Sequence, residues 1–498
     1  MDDARTPVIV AVSQVTERDQ RVENLDLAVR VAADALGQAP ALAARIQRLT
    51  AVGALLTPAS PTMASELADA LAIDPAQREL TTAGGHTPQW LVIRAATDIA
   101  SGQLDATLIV GAEGAHSNRA RGNGGATPFN ARRPAPDTED ADVVVGAPDR
   151  GLISKAEIAA GLVMPTTVYP VFESALAAQA GRTFAEHRAV LANTMAKFTA
   201  IAEANPYAWF QQQATPEELA STANGNRVTA EPYTKRMNAF PYVDQAAALV
   251  VCSLAVAREL GLAEQAIFIW SGAEAQDVIL PGARPHLGRS EGAEAAADAA
   301  YLAAGIGPDD VGCFDVYSCF PSAVQMASRA LGVDDDDPRG LTVTGGLPYF
   351  GGPGNNYTTH AIATIVDRLR ATDGLGVCTG LGGWATKHAV GVYATDPPAT
   401  GFRRGDTSRQ QAEIDAGALP LIESAAPGTT GTVDANTIEY AKDGNVAAAP
   451  AIVRLDDGPR ICARAATAQL TDLAGQLLVG RRVRLVATDE SPTYEMID

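Results

Sequence analysis

The sequence predicts an α/β protein, a duplicated sheet covered by helices, followed by a small C-terminal antiparallel β-barrel. Three observations carry this. Short continuous apolar runs alternate with stretches of helical spacing up to about residue 395. The same rhythm starts again near Gln245, and beyond about residue 430 short strands with turn signals replace it. The reading divides the chain into a first half over 1–245, carrying an excursion over 114–244, and a second half over 246–397. A linker over 398–429 and the barrel over 430–498 complete it. A length of 498 residues exceeds what one hydrophobic core usually supports, which agrees with several units.

The elements follow in order. Pro7 to Val15 reads as a buried strand, Leu25 to Leu36 as a helix and Ala51 to Leu56 as a strand. A helix from Ser65 to Leu71, a strand from Glu79 to Thr82, a helix from Pro88 to Gly102 and a strand from Ala106 to Val110 complete the first round. Gly114 to Pro170, with RARGNGGATPFNARRPAPDTED, is too rich in Gly, Pro and Arg for one regular element, and long loops are often functional. Helices over Phe172–Ala180 and Phe184–Ala204 follow. The second round reads as strands at Ala246–Cys252 and Ile267–Ile269, a helix at Glu291–Ala304, a strand at Cys313–Val316 and a helix at Pro321–Leu331. A helix at Tyr357–Arg370 and strands at Leu375–Cys378 and Ala389–Ala394 close it. In the barrel, Ile438–Tyr440, Ala451–Leu455 and Val483–Ala487 read as strands, with turns at Lys442-Asp443-Gly444 and Asp456-Asp457-Gly458.

Composition excludes several classes. With 47% hydrophobic residues and mean hydropathy near zero, the chain is not disordered, and no run of about 18 uncharged apolar residues suggests a membrane span. A net charge of −20 argues against nucleic acid, although a small polyanion needs only a local cationic spot. Aromatic residues after Thr430 are Tyr440 and Tyr494, too few for a base-stacking platform. Five cysteines without CxxC spacing argue against disulfides or zinc. The acidic N-terminus carries no export signal, so the expected location is cytoplasmic.

Four segments could carry chemistry. Val377-Cys378-Thr379-Gly380-Leu381-Gly382-Gly383 sets a cysteine before glycines that free backbone N–H groups. Asp315-Val316-Tyr317-Ser318-Cys319-Phe320-Pro321 lies at a strand end, where Tyr317 could donate a proton and Cys319 could attack. For both, plain packing of a buried cysteine is the simpler alternative. Gly84-Gly85-His86 and Gly351-Gly352-Pro353-Gly354-Asn355-Asn356 each precede a helix, where the dipole favours negative charge. His86 could be a general base or a solvated loop histidine.

Taken together, these segments resemble the thiolase superfamily over about residues 5 to 395. Gly85 to Glu113 is similar to the thiolase segment in which a cysteine opens a helix ending in I-x-x-G before a strand. Pro232 to Val251 resembles the D-G-A-A-A stretch, and Tyr317–Phe320 resembles H-D-C-F of sterol-carrier-protein thiolases or N-E-A-F of the classical enzymes. Gly351-Gly352-Pro353 resembles G-H-P, and Cys378 opens a segment similar to C-x-G-G-G. The resemblance implies the thiolase fold, a duplicated five-layer α-β-α-β-α unit. It also implies a coenzyme A thioester as substrate or ligand, with no other cofactor.

The departures from the family pattern matter as much. Counted back from Ile99, the position of the acylated cysteine is Gly85, and the G-H-P histidine is Gly352. Tyr317 replaces the H-D-C-F histidine, Leu381 interrupts the glycine run, and only Cys378 stands where a catalytic residue is expected. This set, with the barrel, resembles the subgroup called thiolase-like proteins type 1. The resemblance implies Cys378, Tyr317 and Cys319 as catalytic candidates, with His86, Gly352 and Gly380 near the substrate. Classical thiolysis is not expected, because groups acting as a unit fail together. The expected function is acyl-CoA binding within the acetyl-CoA acetyltransferase family of lipid metabolism, with non-covalent carbon–carbon chemistry on the thioester. The alternatives are a non-catalytic scaffold or partner protein, docking a second protein through an oligonucleotide-binding-like barrel, and acyl transfer by Cys378 or Cys319.

Overall fold

The computed structural model describes residues 3–58, 60–122, 141–147, 151–486 and 492–497. Most of the Gly/Arg-rich run singled out above, residues 123–140, lies outside them.

Two half-sheets meet edge to edge. In the first half, β1 (Pro7–Thr16) pairs antiparallel with β5 (Asp244–Ser253), which pairs antiparallel with β4 (Ala106–Gly114). Then β2 (Arg48–Val52) and β3 (Gln77–Thr81) follow in parallel. The second half repeats the pattern: β6 (Ile267–Gln276) pairs antiparallel with β9 (Lys387–Ala394), β9 with β8 (Leu375–Gly382), and β8 runs parallel to β7 (Cys313–Asp315). Only Val8↔Phe268 and Ile9↔Ile267 join β1 to β6, so the duplication expected from the sequence is present and pivots on two residue pairs.

Five layers follow from what each helix touches. On one outer face, α1 (Asn24–Gly37) covers β1, β4 and β5, beside α2 (Met63–Ala70) on β2 and β3. In the middle, α3 (Thr87–Ala100) touches strands of both halves, as does α7 (Tyr357–Thr372), whereas α6 (Pro321–Ala330) lies outside this layer. On the far face α5 (Glu291–Ala304) covers β6 and β9, with α6 beside it. Central helices must be apolar on nearly every side. Accordingly Leu91, Val92, Ile93, Ala95, Ala96 and Ile99 of α3 are all buried. Each such large aliphatic side chain contributes roughly 1.5–3 kcal/mol.

The barrel is closed. Arg460–Ala465, Pro450–Leu455, Thr430–Asn436, Arg482–Val486 and Thr493–Met496 pair in that order, and the last returns parallel to the first. It rests on α4 (Pro165–Gln179) of the excursion, where the Asn436 N–H donates to Ser174 Oγ at 3.0 Å. Its turn between Pro450–Leu455 and Arg460–Ala465 uses Gly458 at φ 114°, whereas Gly444, at φ 88°, turns a hairpin outside the barrel. The residues of the linker region form a helix at Ser408–Ala416 and a short strand, Arg403–Arg404, against β6.

Four local expectations need correction. The strand read at Ala51–Leu56 lies at Arg48–Val52, because the Leu55 and Leu56 N–H groups donate to the buried Glu113 carboxylate instead of a ladder. Glu439–Tyr440 is not a barrel strand; it pairs with Val228–Ala230 of the excursion. The helix read at Phe172–Ala180 starts at Pro165, seven residues earlier, with Pro170 inside it. Finally, β8 does not stop at Cys378 but runs through the glycines to Gly382.

Candidate functional site

The site forms where α3 begins and β8 passes beneath it. Gly84, at φ 150°, turns the chain into the helix. Its N–H donates to Asn355 Oδ1 (2.8 Å), and its carbonyl accepts from the Thr87 hydroxyl (2.7 Å). The Gly85 carbonyl accepts from the Thr358 hydroxyl (2.6 Å), while Asn355 Nδ2 donates to Gly53 O (2.7 Å). The Asn355-Asn356 turn, singled out above as a helix start suited to an anion, therefore spends its side chains mainly on backbone, with Asn356 Oδ1 accepting from the Thr359 hydroxyl (2.6 Å). Asn356 Nδ2 holds the Gly111 carbonyl in the same way (2.7 Å).

Gly85 and Tyr317 are brought into contact. A Cβ placed on Gly85 would fall onto the Tyr317 hydroxyl, 2.5 Å from its Cζ and 2.6 Å from the Leu381 carbonyl oxygen. The phenol thus occupies the volume in which a nucleophile's side chain would begin. Tyr317 is fixed by its N–H donating to Thr379 Oγ1 (2.8 Å) and by edge-on packing on Tyr357, 5.4 Å between centroids. Burial, and then the neighbouring Cys319, push the hydroxyl far above the usual phenol value, so it stays protonated. It makes no hydrogen bond to another described residue.

The two candidate cysteines lie on different sides of this contact. Cys319 follows Tyr317 by two residues, and burial pushes its thiol up to about 12 despite the adjacent Tyr169 hydroxyl. Tyr169, on α4, also donates to Gly383 O (3.1 Å), accepts from the Ala385 N–H (3.0 Å) and stacks on Phe320 at 4.5 Å. Cys378 sits mid-strand, opposite Asp315 in β7 and Gly391 in β9. Its alternate neighbours Gly376 and Gly380 face α7 and α3, so the period of two turns Cys378 to the central layer. Burial, then the Asp315 charge, push its thiol well above the usual value. Thr379 and Leu381 face the other way and line a cavity with Tyr317. Cys378 is not among that cavity's lining residues.

His86 is a wedge. Cβ atoms on Gly84 or Gly382 would each come within 2.5 Å of its ring, and one on Gly380 would lie 2.8 Å from its Cα. Glycine is needed here for close approach of strand to helix. The ring is buried, its Nδ1 has no hydrogen-bond partner among the described residues, and burial, followed by the charges of Lys387 and His388, lowers its pKa to about 3. It is neutral in the fold. Gly352 is different again: its N–H donates to Phe240 O (2.9 Å), and a Cβ there would meet neighbours only at 3.4–3.8 Å.

Buried carboxylates shape the surroundings. Asp315 accepts from the Val343 and Thr344 N–H groups (3.0 Å each), both threonine hydroxyls of Thr342 and Thr344 (2.9 Å each) and the Tyr357 hydroxyl (2.8 Å). Asp244, in the segment likened to D-G-A-A-A, takes the Ser117 N–H and hydroxyl, so it acts on the frame. Among the described residues no group of His, Cys, Asp and Glu could hold a metal ion, and no helix is long and apolar enough to cross a membrane. Sequence reasoning missed Tyr169, Thr358 and the Leu381 carbonyl. Nothing local distinguishes Tyr169 or a carbonyl, whereas Thr358 follows the Asn355-Asn356 turn already noted.

A search of protein-family models finds no match. Over 119 residues the chain is 32% identical to an acetyl-CoA acetyltransferase of Methanocaldococcus jannaschii, a stretch covering 24% of this chain and 29% of that protein. A monomeric SCP2-thiolase-like protein type 1 from Mycobacterium smegmatis superposes with a TM-score of 0.84 at 30% identity, covering 100% of both chains. The dimeric peroxisomal thiolase of Saccharomyces cerevisiae matches at TM-score 0.56 and 16% identity, over 79% of this chain and 98% of that one. The Acat5 thiolase of Ascaris suum, solved with coenzyme A, matches at 0.56 and 16%, over 78% and 99%. The last two share the fold.

Proposed function

The chain belongs to the thiolase superfamily, with the SCP2-thiolase-like proteins of type 1, and from that premise we propose that it binds an acyl-CoA thioester without being acylated by it. The observation that carries this reading is the Tyr317 phenol lying in the volume next to Gly85. Acyl transfer through a covalent intermediate needs a nucleophile at that place, and glycine has no side chain to supply one. A phenol kept protonated by burial is instead a hydrogen-bond and proton donor. Facing a thioester, it stabilises negative charge on the carbonyl oxygen while a carbon–carbon bond breaks, as in retro-aldol cleavage.

Relocated acyl transfer draws little support from the thiols. The thiolate is the attacking form, and burial lifts both Cys319 and Cys378 away from it. The second reading, a non-catalytic acyl-CoA-binding protein, is favoured by one feature: Tyr169 of α4 lies over Cys319 and Phe320 and covers the site from the excursion side.

Calorimetric titration with coenzyme A, acetyl-CoA and a longer 3-ketoacyl-CoA tests the proposal, together with intact-mass spectrometry of the same mixtures. Micromolar binding without any acyl mass increment is the expected result. Absence of binding up to millimolar ligand, or a stable acyl adduct, would overturn it.

A further inference from the structure

Gly85 belongs to the first half of the fold and Tyr317 to the second, yet a Cβ on the glycine would fall onto the phenol. The half-sheets are joined through two residue pairs, Val8↔Phe268 and Ile9↔Ile267, in strands that carry neither residue. Where Tyr317 meets Gly85 is therefore set by an element that touches both halves. α7 is such an element: it packs on β1 and β5, on β7 and β8, and on α3.

Two consecutive residues at the start of α7 reach the contact from its two sides. Tyr357 holds the phenol. Its ring packs edge-on against Tyr317, 5.4 Å between centroids, and also against Phe350, at 5.9 Å. Its hydroxyl donates to Asp315 Oδ1 (2.8 Å) and lies 2.6 Å from Thr344 Oγ1, so the ring is tied at its tip. Thr358 holds the peptide, its hydroxyl donating to the Gly85 carbonyl (2.6 Å). Just before them, Asn355 Oδ1 accepts the Gly84 N–H (2.8 Å). Tyr357 and Thr358 are both buried. Phenylalanine and valine would fill the same volumes, so what the two hydroxyls add is direction.

We propose that Tyr357 and Thr358 are positioning residues for Tyr317, one fixing the phenol and the other the Gly85 peptide against which it rests. The inference rests on the reading of Tyr317 as the donor to a thioester oxygen, and it names what aims that donor. The Tyr317 hydroxyl makes no hydrogen bond to a described residue, so its direction comes from its own N–H on Thr379 Oγ1 and from these two neighbours. Hydrogen bonds weaken steeply as they bend. A phenol free to rock donates poorly to a ligand oxygen even while it fills its place. Free coenzyme A lacks the thioester carbonyl, so loss of positioning lowers the preference for thioester over coenzyme A and leaves affinity for coenzyme A alone.

The test compares acetyl-CoA with free coenzyme A by calorimetry on the whole protein and its variants. Tyr357→Phe and Thr358→Val are each expected to lower the thioester preference about five- to tenfold, the net worth of one hydrogen bond. Thr358→Ser, which keeps the hydroxyl, is expected to retain it. In a Tyr317→Phe background neither substitution should lower it further, because residues acting through one group are not additive. Equal weakening of both ligands, unchanged preference or additive losses would each overturn the inference. If the unmodified protein binds neither ligand, or both alike, the reading of Tyr317 as donor fails, and ring motion then decides the positioning separately. In protein carrying ¹³C-labelled tyrosine, the Tyr317 ring, assigned through Tyr317→Phe, should flip faster in Tyr357→Phe and Thr358→Val, while Tyr494 in the barrel keeps its rate. An unchanged Tyr317 flip rate, or equal acceleration of Tyr494, would sink the positioning role whatever the ligand does.

Discussion

Two glycines, Gly85 and Gly352, which the family resemblance sets at the thiolase nucleophile and its activating histidine, are not equivalent. At Gly85 the missing side chain has been replaced by another residue's: the Tyr317 phenol and the Leu381 carbonyl already stand where a Cβ would go. At Gly352 the neighbours stay at ordinary contact distance, 3.4 Å or more from a Cβ. The first position has no room for a side chain; the second has room for one. Packing therefore excludes a side chain at Gly85 and tolerates one at Gly352.

The largest effect is expected at Gly85. Gly85→Ala should destabilise the fold by about 3 kcal/mol, the upper part of the range for overpacking, as read from urea unfolding. Adding Tyr317→Ala removes the side-chain half of the clash but not the Leu381 carbonyl. The double variant should accordingly recover at least about 1 kcal/mol of coupling in a double-mutant cycle. Strict additivity would mean that Tyr317 is not what fills the place, and the comparison would break.

The difference between the two glycines could not be seen in the sequence. Segment order exposed the fold, because order survives when individual residues change. The duplicated rhythm was legible because each strand is a continuous apolar run, as in β5 and β1, which pack between helices. What hid was tertiary. Glycines usually mark turns, so β8 was expected to end at Cys378, yet Gly380 and Gly382 remain in strand because His86 presses on them. Leu55 and Leu56 look like strand residues until the distant Glu113 claims their N–H groups. Tyr317 was visible as a candidate from its motif, but that it reaches Gly85, 232 positions earlier in the chain, depends on how β7, β8 and α3 assemble.

A second, intermediate effect sharpens the picture at His86, the neighbour of the filled position. Its pKa is lowered to about 3 by burial, and that of His360 likewise, whereas a histidine in the unfolded chain titrates near 6.5. Between pH 6.5 and 3 the unfolded chain binds more protons than the fold. Stability therefore rises with pH in that window and is lost as pH falls. Each histidine contributes a slope of at most about 1.4 kcal/mol per pH unit. His86→Gln should remove one such contribution, so its denaturation midpoints at pH 7.5, 6 and 5 should fall less steeply than those of the unmodified protein. Taking the difference cancels the buried carboxylates, Glu113 and Asp315, whose burial-raised values act with the opposite sign. Parallel curves would show that His86 is reached by solvent, and the wedge between Gly84 and Gly382 would need another explanation.

The smallest effect is expected at Gly352, and it is the one that decides whether the two positions differ in kind. Its N–H bond to Phe240 O is a backbone contact that alanine retains, and its φ lies outside the left-handed region, so no backbone strain arises. A methyl group there meets Phe240 O, Leu347 Cδ2 and Ala239 Cβ at distances of normal packing. Gly352→Ala should therefore change stability by less than about 1 kcal/mol, with a small gain available from the reduced freedom of the unfolded chain. The measurement is the same urea titration, run beside Gly85→Ala. If both substitutions cost about 3 kcal/mol, the site is tightly packed at both positions and the phenol has no special part in replacing the nucleophile. If only Gly85→Ala does, Tyr317 and Gly85 act as a single replaced unit. Gly352, by contrast, becomes a position at which a histidine can be restored to ask what the site lacks.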